Sequence, residues 1–189
     1  MSKGLKILLI VIAVIVLIGL FFIKGLNKVV IKHEAVAAAW AQVDNQLQRR
    51  NDLIPNLVNT VKGYMTHERE LLTNITQLRS QWAQAKTTDD KIQAAQGMGA
   101  ALGRLLLVAE RYPDLKANQN FLSLQAQLEG TENRIAVERM RYNETVKGFN
   151  MYIRTIGGSI VARMRGLSKP EPYFEVEDEA KQVPKVSFE

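Results

Sequence analysis

Residues 7–23 read ILLIVIAVIVLIGLFFI, seventeen in a row without a charged or polar side chain. As a helix this run is about 26 Å long, and extended over 5–26 it exceeds the ~30 Å hydrocarbon core of a bilayer. A buried core helix seldom lacks any polar face. A cleaved signal peptide has a shorter apolar region and small residues at its cleavage site, whereas this run ends in FFIKGLNK. An uncleaved transmembrane anchor is therefore expected, and the rest of the chain must fold beside a membrane.

The net charge of +6 and pI near 9.6 would by themselves suit a nucleic-acid binder. Their distribution argues otherwise. Lys3, Lys6, Lys24, Lys28 and Lys32 all fall in the first 32 residues, which contain no acid. Removing these five from the 25 basic residues leaves 20 against 19 acidic ones in 33–189. The basicity flanks the apolar run, where it suits lipid headgroups. The near-neutral remainder lacks the electrostatic footprint needed for phosphate backbones, so no nucleic-acid partner is expected. Lysines on the two sides of the run nearly balance, so the positive-inside rule is close to a tie. Without cysteine there is no disulfide, thiolate nucleophile or Cys metal site.

From Val36 an apolar series advances in steps of four and three. It runs through Trp40, Val43, Leu47, Arg50, Ile54, Leu57, Val61, Tyr64, Glu68, Leu71, Ile75 and Leu78 to Trp82. Such a seam marks a long helix in a bundle or coiled coil. Its phase persists across Pro55, so 30–84 reads as one long helix kinked at the proline, with a hairpin at 50–54 as the alternative. KTTDDK, 86–91, is the first clear loop, where Thr88, Asp89 or Asp90 can cap the next helix. A second helix is expected over about 90–111, ended by Tyr112 and Pro113, and a third over about 115–155, broken at Gly157 and Gly158. SIVARMRGLSK reads as a short amphipathic segment. The proline-rich, acidic tail reads as extended, either mobile or loosely docked.

Catalytic patterns are missing. His33 and His67 form no HExxH or Glu-x-x-His pair. GMGAALG, 97–103, lacks the glycine that a dinucleotide fingerprint needs at 102, and close helix packing through Gly99 and Gly103 reads better. Ser159 has no GxSxG context. No enzyme, cofactor, metal or small-molecule substrate is expected. The polar residues that stand out are Arg50 and Glu68 on the seam and Glu138 at the matching phase of the third helix. Two readings stay open: long stems with their heads in water, or a buried ionic and amide cluster fixing register. Glu132, Asn133, Arg134, Asn143 and Asn150 are candidate partners.

The stretches AWAQVDNQLQRRNDLIPNLVNTVKGYMTHE (39–68), YPDLKANQNFLSLQAQLEGTENRIAVERMRYNETVKGFN (112–150) and PYFE (172–175) closely resemble the LemA family. The resemblance implies a membrane segment followed by an all-helical, four-helix-type domain of no established activity, in a family that includes magnetosome proteins linked to membrane shaping. Its signature residues map to Arg49, Arg50, Asp52, Pro55, Asn56, Tyr112, Pro113, Glu132, Asn133, Arg134, Tyr142 and Asn143, none of them catalytic. Glu68 joins them as a structural or interaction candidate from the seam.

The expected architecture is all-α: a short flank (1–4), a transmembrane anchor (5–26), an up-and-down bundle of long helices (27–168) and a tail (169–189). The expected function is a membrane-anchored, non-enzymatic scaffold that self-assembles and organises the bacterial envelope membrane. Arg49, Arg50 and Asp52 would lock the Pro55 kink to the third helix. Membrane lipid and further copies of the chain are the expected partners. The expected place is the bacterial inner membrane, single-pass, with the bundle on the extracytoplasmic side. The alternative is an adaptor holding an envelope protein such as a membrane protease. In that reading the strand-like alternation of Phe174 with Val176, and of Val186 with Phe188, would add to a sheet edge.

Overall fold

A computed structural model of the chain describes residues 3–65 and 67–175. The expected strand-forming Val176, Val186 and Phe188 lie outside them. Among the described residues every regular element is a helix: α1 (Lys3–Lys62), α2 (Arg69–Gln84), α3 (Thr88–Ala109), α4 (Pro113–Lys116), α5 (Gln119–Arg154) and α6 (Ile156–Met164). The all-α expectation holds. The chain divides into two compact units, Met1–Trp40 with Arg141–Glu171, and Ala41–Met140 with Pro172–Glu189.

The second unit is built from α2, α3, the short α4 and the adjoining parts of α1 and α5. Its core joins Ile54, Leu57 and Val61 of α1 to Leu72 and Ile75 of α2, Leu102 and Leu105 of α3, and Phe121, Leu124 and Leu128 of α5. Each such side chain, fully buried, contributes roughly 1.5–3 kcal/mol. The expected single helix over 30–84 is corrected here: α1 stops at Lys62, and the chain turns back before α2 opens at Arg69. Both Tyr64 and Met65 donate their amides to the Val61 carbonyl, closing the helix end, while buried Met65 plugs the hairpin. The four-three pattern runs on through the turn, but Tyr64 is exposed there, and Leu72 rather than Leu71 enters the core. The alternative hairpin at 50–54 is also excluded, because α1 is helical through Pro55.

Local capping sets the other boundaries. Thr87, not Thr88, Asp89 or Asp90, caps α3, its hydroxyl accepting the Asp90 amide at 3.1 Å. Asn118 Oδ1 accepts the amides of Asn120 and Phe121 and opens α5. α3 is apolar enough to cross a membrane, but 44% of its most apolar window is buried, as befits a core helix. The expected tight contact through Gly99 and Gly103 is absent. A Cβ at Gly103 would meet nothing within 4 Å, while one at Gly97 would lie 3.1 Å from Leu78 of α2. Gly97 is the glycine that brings α2 and α3 close.

In the first unit the end of α5 runs antiparallel to α1. Tyr142 stacks edge-on to Trp40 (centroids 5.4 Å), Phe149 meets His33 (5.6 Å), and Tyr152 Oη donates to the Gly25 carbonyl (3.1 Å). α5 ends at Arg154, three residues before the glycine break expected at Gly157. Gly157 and Gly158 instead lie in the first turn of α6, capped by Thr155. Gly166, at φ +69°, closes α6: its amide donates to Arg163 and that of Leu167 to Ala162, a Schellman arrangement. The apolar window of α1 has mean hydropathy 3.2, and none of it is buried within the chain.

A side chain at Gly158 would collide with the Tyr152 carbonyl and the Thr155 hydroxyl. Gly158→Ala should therefore lower the melting temperature, with a cost of about 1–3 kcal/mol. Gly103→Ala, in open space within a helix, should stabilise by about 0.5–1 kcal/mol. Thermal unfolding in mild detergent, followed by circular dichroism, checks both.

Candidate functional site

Arg50 is the centre of the second unit. Three residues before it lies buried Leu47 and four after it buried Ile54, so it occupies a core position of α1, and it is only 4% exposed. Its guanidinium forks. Nη1 donates to Glu132 Oε2 of α5 at 3.0 Å, and Nη2 to the Ala95 carbonyl of α3 at 2.7 Å. Burial, the strongest influence, pulls the Arg50 pKa below its ordinary value; Glu132 opposes this by charge and hydrogen bond, and Arg139 adds a smaller lowering. An arginine remains charged regardless, so the pair is a true ion pair, half-open to water through Glu132. The head of Arg50 is thus buried while that of its partner is half-exposed.

Pro55 has its own partner. Lacking an N–H, it leaves the carbonyl of Asn51 without the usual helical donor. Arg79 Nε of α2 reaches that carbonyl at 3.4 Å. The expectation that Arg49, Arg50 and Asp52 all secure this point is corrected. Arg49 is exposed, and exposed Asp52 accepts from Gln48 at 2.8 Å, one turn earlier on the same helix. Arg79 was missed because only the antiparallel return of α2 brings it to Asn51. Its one signal was a basic residue near the hydrophobic face of the returning segment.

Other predicted residues are dispersed. Asn56 is exposed, its carbonyl accepting from Thr60. Glu68 lies in the turn, and its half-buried carboxylate accepts from Arg111 at 3.1 Å, so it does not extend the buried cluster. Tyr112 packs on the core and precedes Pro113, the first residue of α4. Asn133 and Arg134 face water beside Glu132, so neither takes the place at Arg50. Glu138 is half-buried. In the first unit Tyr142 is fully buried and Asn143 half-buried. There Asn150 exchanges two hydrogen bonds, both 2.9 Å, with the backbone of Glu171.

Two cavities flank the Arg50–Glu132 pair. One, about 270 Å³, is lined by Leu57, Leu102, Leu105, Leu106 and Leu128 as well as Gly99 and Gly103. The other, about 150 Å³, is bordered by Phe174 and Glu175. Phe174 is buried under Arg139, 4.7 Å from ring centroid to guanidinium, and Gln96 Nε2 donates to the Glu175 carbonyl at 2.8 Å. Phe174 is thus engaged by the chain's own helices and is not presented for strand addition. A larger hollow of about 740 Å³, between α1 and α2 near Met65 and Arg69, contains none of the signature residues. Among the described residues no three His, Asp or Glu gather as a metal set. The arrangement can lock helices and receive an apolar group; it presents no activated nucleophile.

The family model for the LemA family matches residues 39–188, which include every signature residue named above. The chain belongs to the LemA family. It is 24% identical over 203 residues to magnetosome protein MamQ of Magnetospirillum gryphiswaldense, covering 93% of this chain and 75% of that protein. It is 26% identical over 155 residues to protein LemA of Metamycoplasma hominis, covering 79% and 70% respectively. The matched region begins after the apolar run, so the family pattern describes the helical body.

Arg50→Ala should destabilise by about 2–4 kcal/mol, because it removes both inter-helix hydrogen bonds and opens a cavity at a buried position. Glu132→Gln, which keeps an acceptor at a half-exposed site, should cost at most about 1 kcal/mol. Denaturant titration reads the difference. Restoring an N–H with Pro55→Ala should make Arg79 redundant. Arg79→Ala should then cost about 0.5–1.5 kcal/mol less in that background than in the parent, a coupling seen in a double-mutant cycle.

Proposed function

We propose that this chain is a membrane-anchored, non-enzymatic scaffold that self-assembles and organises the bacterial envelope membrane, with its helical body on the extracytoplasmic side. One observation carries the reading. The uninterrupted helix α1 starts as an unburied apolar span and ends as a core helix held by Arg50, Pro55 and their partners. Its polar cluster is spent on helix register, a use that fits a structural part. The likeness to magnetosome proteins supports a structural rather than a catalytic reading. The second reading, an adaptor for an envelope protein, is favoured by the leucine-lined cavity beside Arg50, which has room for one or two apolar side chains of a partner.

Two measurements test the proposal. Because the chain has no cysteine, Ser168→Cys gives a single, exposed reporter. It should react with a membrane-impermeant maleimide in intact cells whose outer membrane, if present, has been permeabilised; labelling only after inner-membrane lysis would place the body in the cytoplasm. The full chain in lipid nanodiscs and giant vesicles should form discrete multimers and alter vesicle shape. Monomers on unchanged vesicles would refute the scaffold.

A further inference from the structure

Among the described residues nothing covers the outer face of α6, whose large side chains apart from Arg163 are apolar. Ile156 is 88% exposed, Ile160 47% and Met164 63%. Spaced by four, they share one face of the helix. The opposite face, Gly158, Val161 and Ala162, is buried. A helix apolar on both faces is at odds with water on one of them.

The position of α6 against α1 says what covers that face. A Cβ at Gly157 would lie 3.6 Å from the ring of Phe21, inside the apolar run 7–23, and one at Gly25 would lie 3.1 Å from Val161. The corner at Thr155–Ile156 is therefore level with the last residues of the apolar span, and α6 runs from there past Gly25. Basic side chains lie on the same segments: Lys28, with its ammonium 5.3 Å over the Tyr152 ring, exposed Arg154 just before the corner, and exposed Arg163 and Arg165 at the far end of α6. The corner also hides its own polar groups. The Thr155 hydroxyl donates to the Tyr152 carbonyl (2.8 Å) and accepts the Gly158 amide (3.1 Å), and the Ser159 hydroxyl donates to the Ile156 carbonyl (3.0 Å). Internal satisfaction of this kind is what immersion in lipid demands.

We infer that the α5–α6 corner is a second membrane contact: Ile156, Ile160 and Met164 lie in the interfacial layer of the bilayer that α1 crosses, with the surrounding lysines and arginines at its headgroups. The inference rests on α1 being a span, and its test separates the two.

Full chains with one cysteine each, Leu17→Cys, Ile156→Cys, Ile160→Cys or Ser80→Cys, would carry an environment-sensitive nitrobenzoxadiazole label in vesicles of equal parts phosphatidylcholine and phosphatidylglycerol. The labels at Ile156 and Ile160 should show blue-shifted emission and lose most of it to nitroxide-bearing lipids, like that at Leu17. The label at Ser80 should lose its emission only to aqueous iodide. Quenching at Leu17 by lipid, with Ile156 and Ile160 quenched by iodide, would overturn the corner contact and leave the anchor standing. No lipid quenching at Leu17 would remove the anchor and the inference together. Labels at Ile156 and Ile160 shielded from both quenchers would show that a second copy of the chain, not lipid, covers the face, and would also overturn it.

Discussion

Burying a guanidinium is costly unless it is paired and hydrogen-bonded, and Arg50 takes an acceptor from each of two other helices. Glu132 comes from α5 and the Ala95 carbonyl from α3. An apolar residue at this position would tolerate rotation or a one-turn slip of α1; a forked ion pair does not. Once Arg50 is fixed, the register of Leu47, Ile54 and Leu57 within the core follows. Its neighbour Pro55 makes a similar demand, since the carbonyl it frees at Asn51 needs a donor and receives Arg79 from α2. Two local irregularities of α1 are thus each answered by another helix. The second unit owes its specificity to them and its stability mainly to leucine, isoleucine and phenylalanine burial.

The first unit obeys another constraint. There α1 is apolar all round over 7–23, and at the end of that run glycines let α6 approach while aromatic side chains of α5 pack on the more polar part beyond. Gly25 admits Val161 and Gly157 lies against Phe21, while the Tyr152 hydroxyl ends on the Gly25 carbonyl. α6 closes on itself through Thr155 and Gly166.

Much of this was legible in advance for a simple reason. The apolar run, the helical class and the seam of α1 are written in local composition and periodicity. The turn at 63–68 was not, because the four-three pattern continues through it in the sequence, although Leu72 takes the core place expected of Leu71. The cap of α3 fell on Thr87, since only the backbone decides which of several adjacent polar residues has extended φ and ψ. At the site, Arg50 could be picked out as a charge on an apolar seam and Glu132 as one of several partners. Asn133 and Arg134 were equally plausible until the rotation of α5 turned them to water. Arg79 could not be found, because its role exists only between two antiparallel helices.

The sequence by itself determined where the chain is apolar enough to cross a bilayer, that its remaining elements are helices, and that Arg50 and Pro55 would each need compensation. These follow from composition, spacing and the missing N–H of proline, which act over one or two turns. Tertiary structure decided which groups supply the compensation, where α1 stops, and that the corner before α6 stands level with the end of the apolar span. Those outcomes depend on contacts between residues 28 to more than a hundred positions apart, set by how helix faces interlock rather than by any local signal.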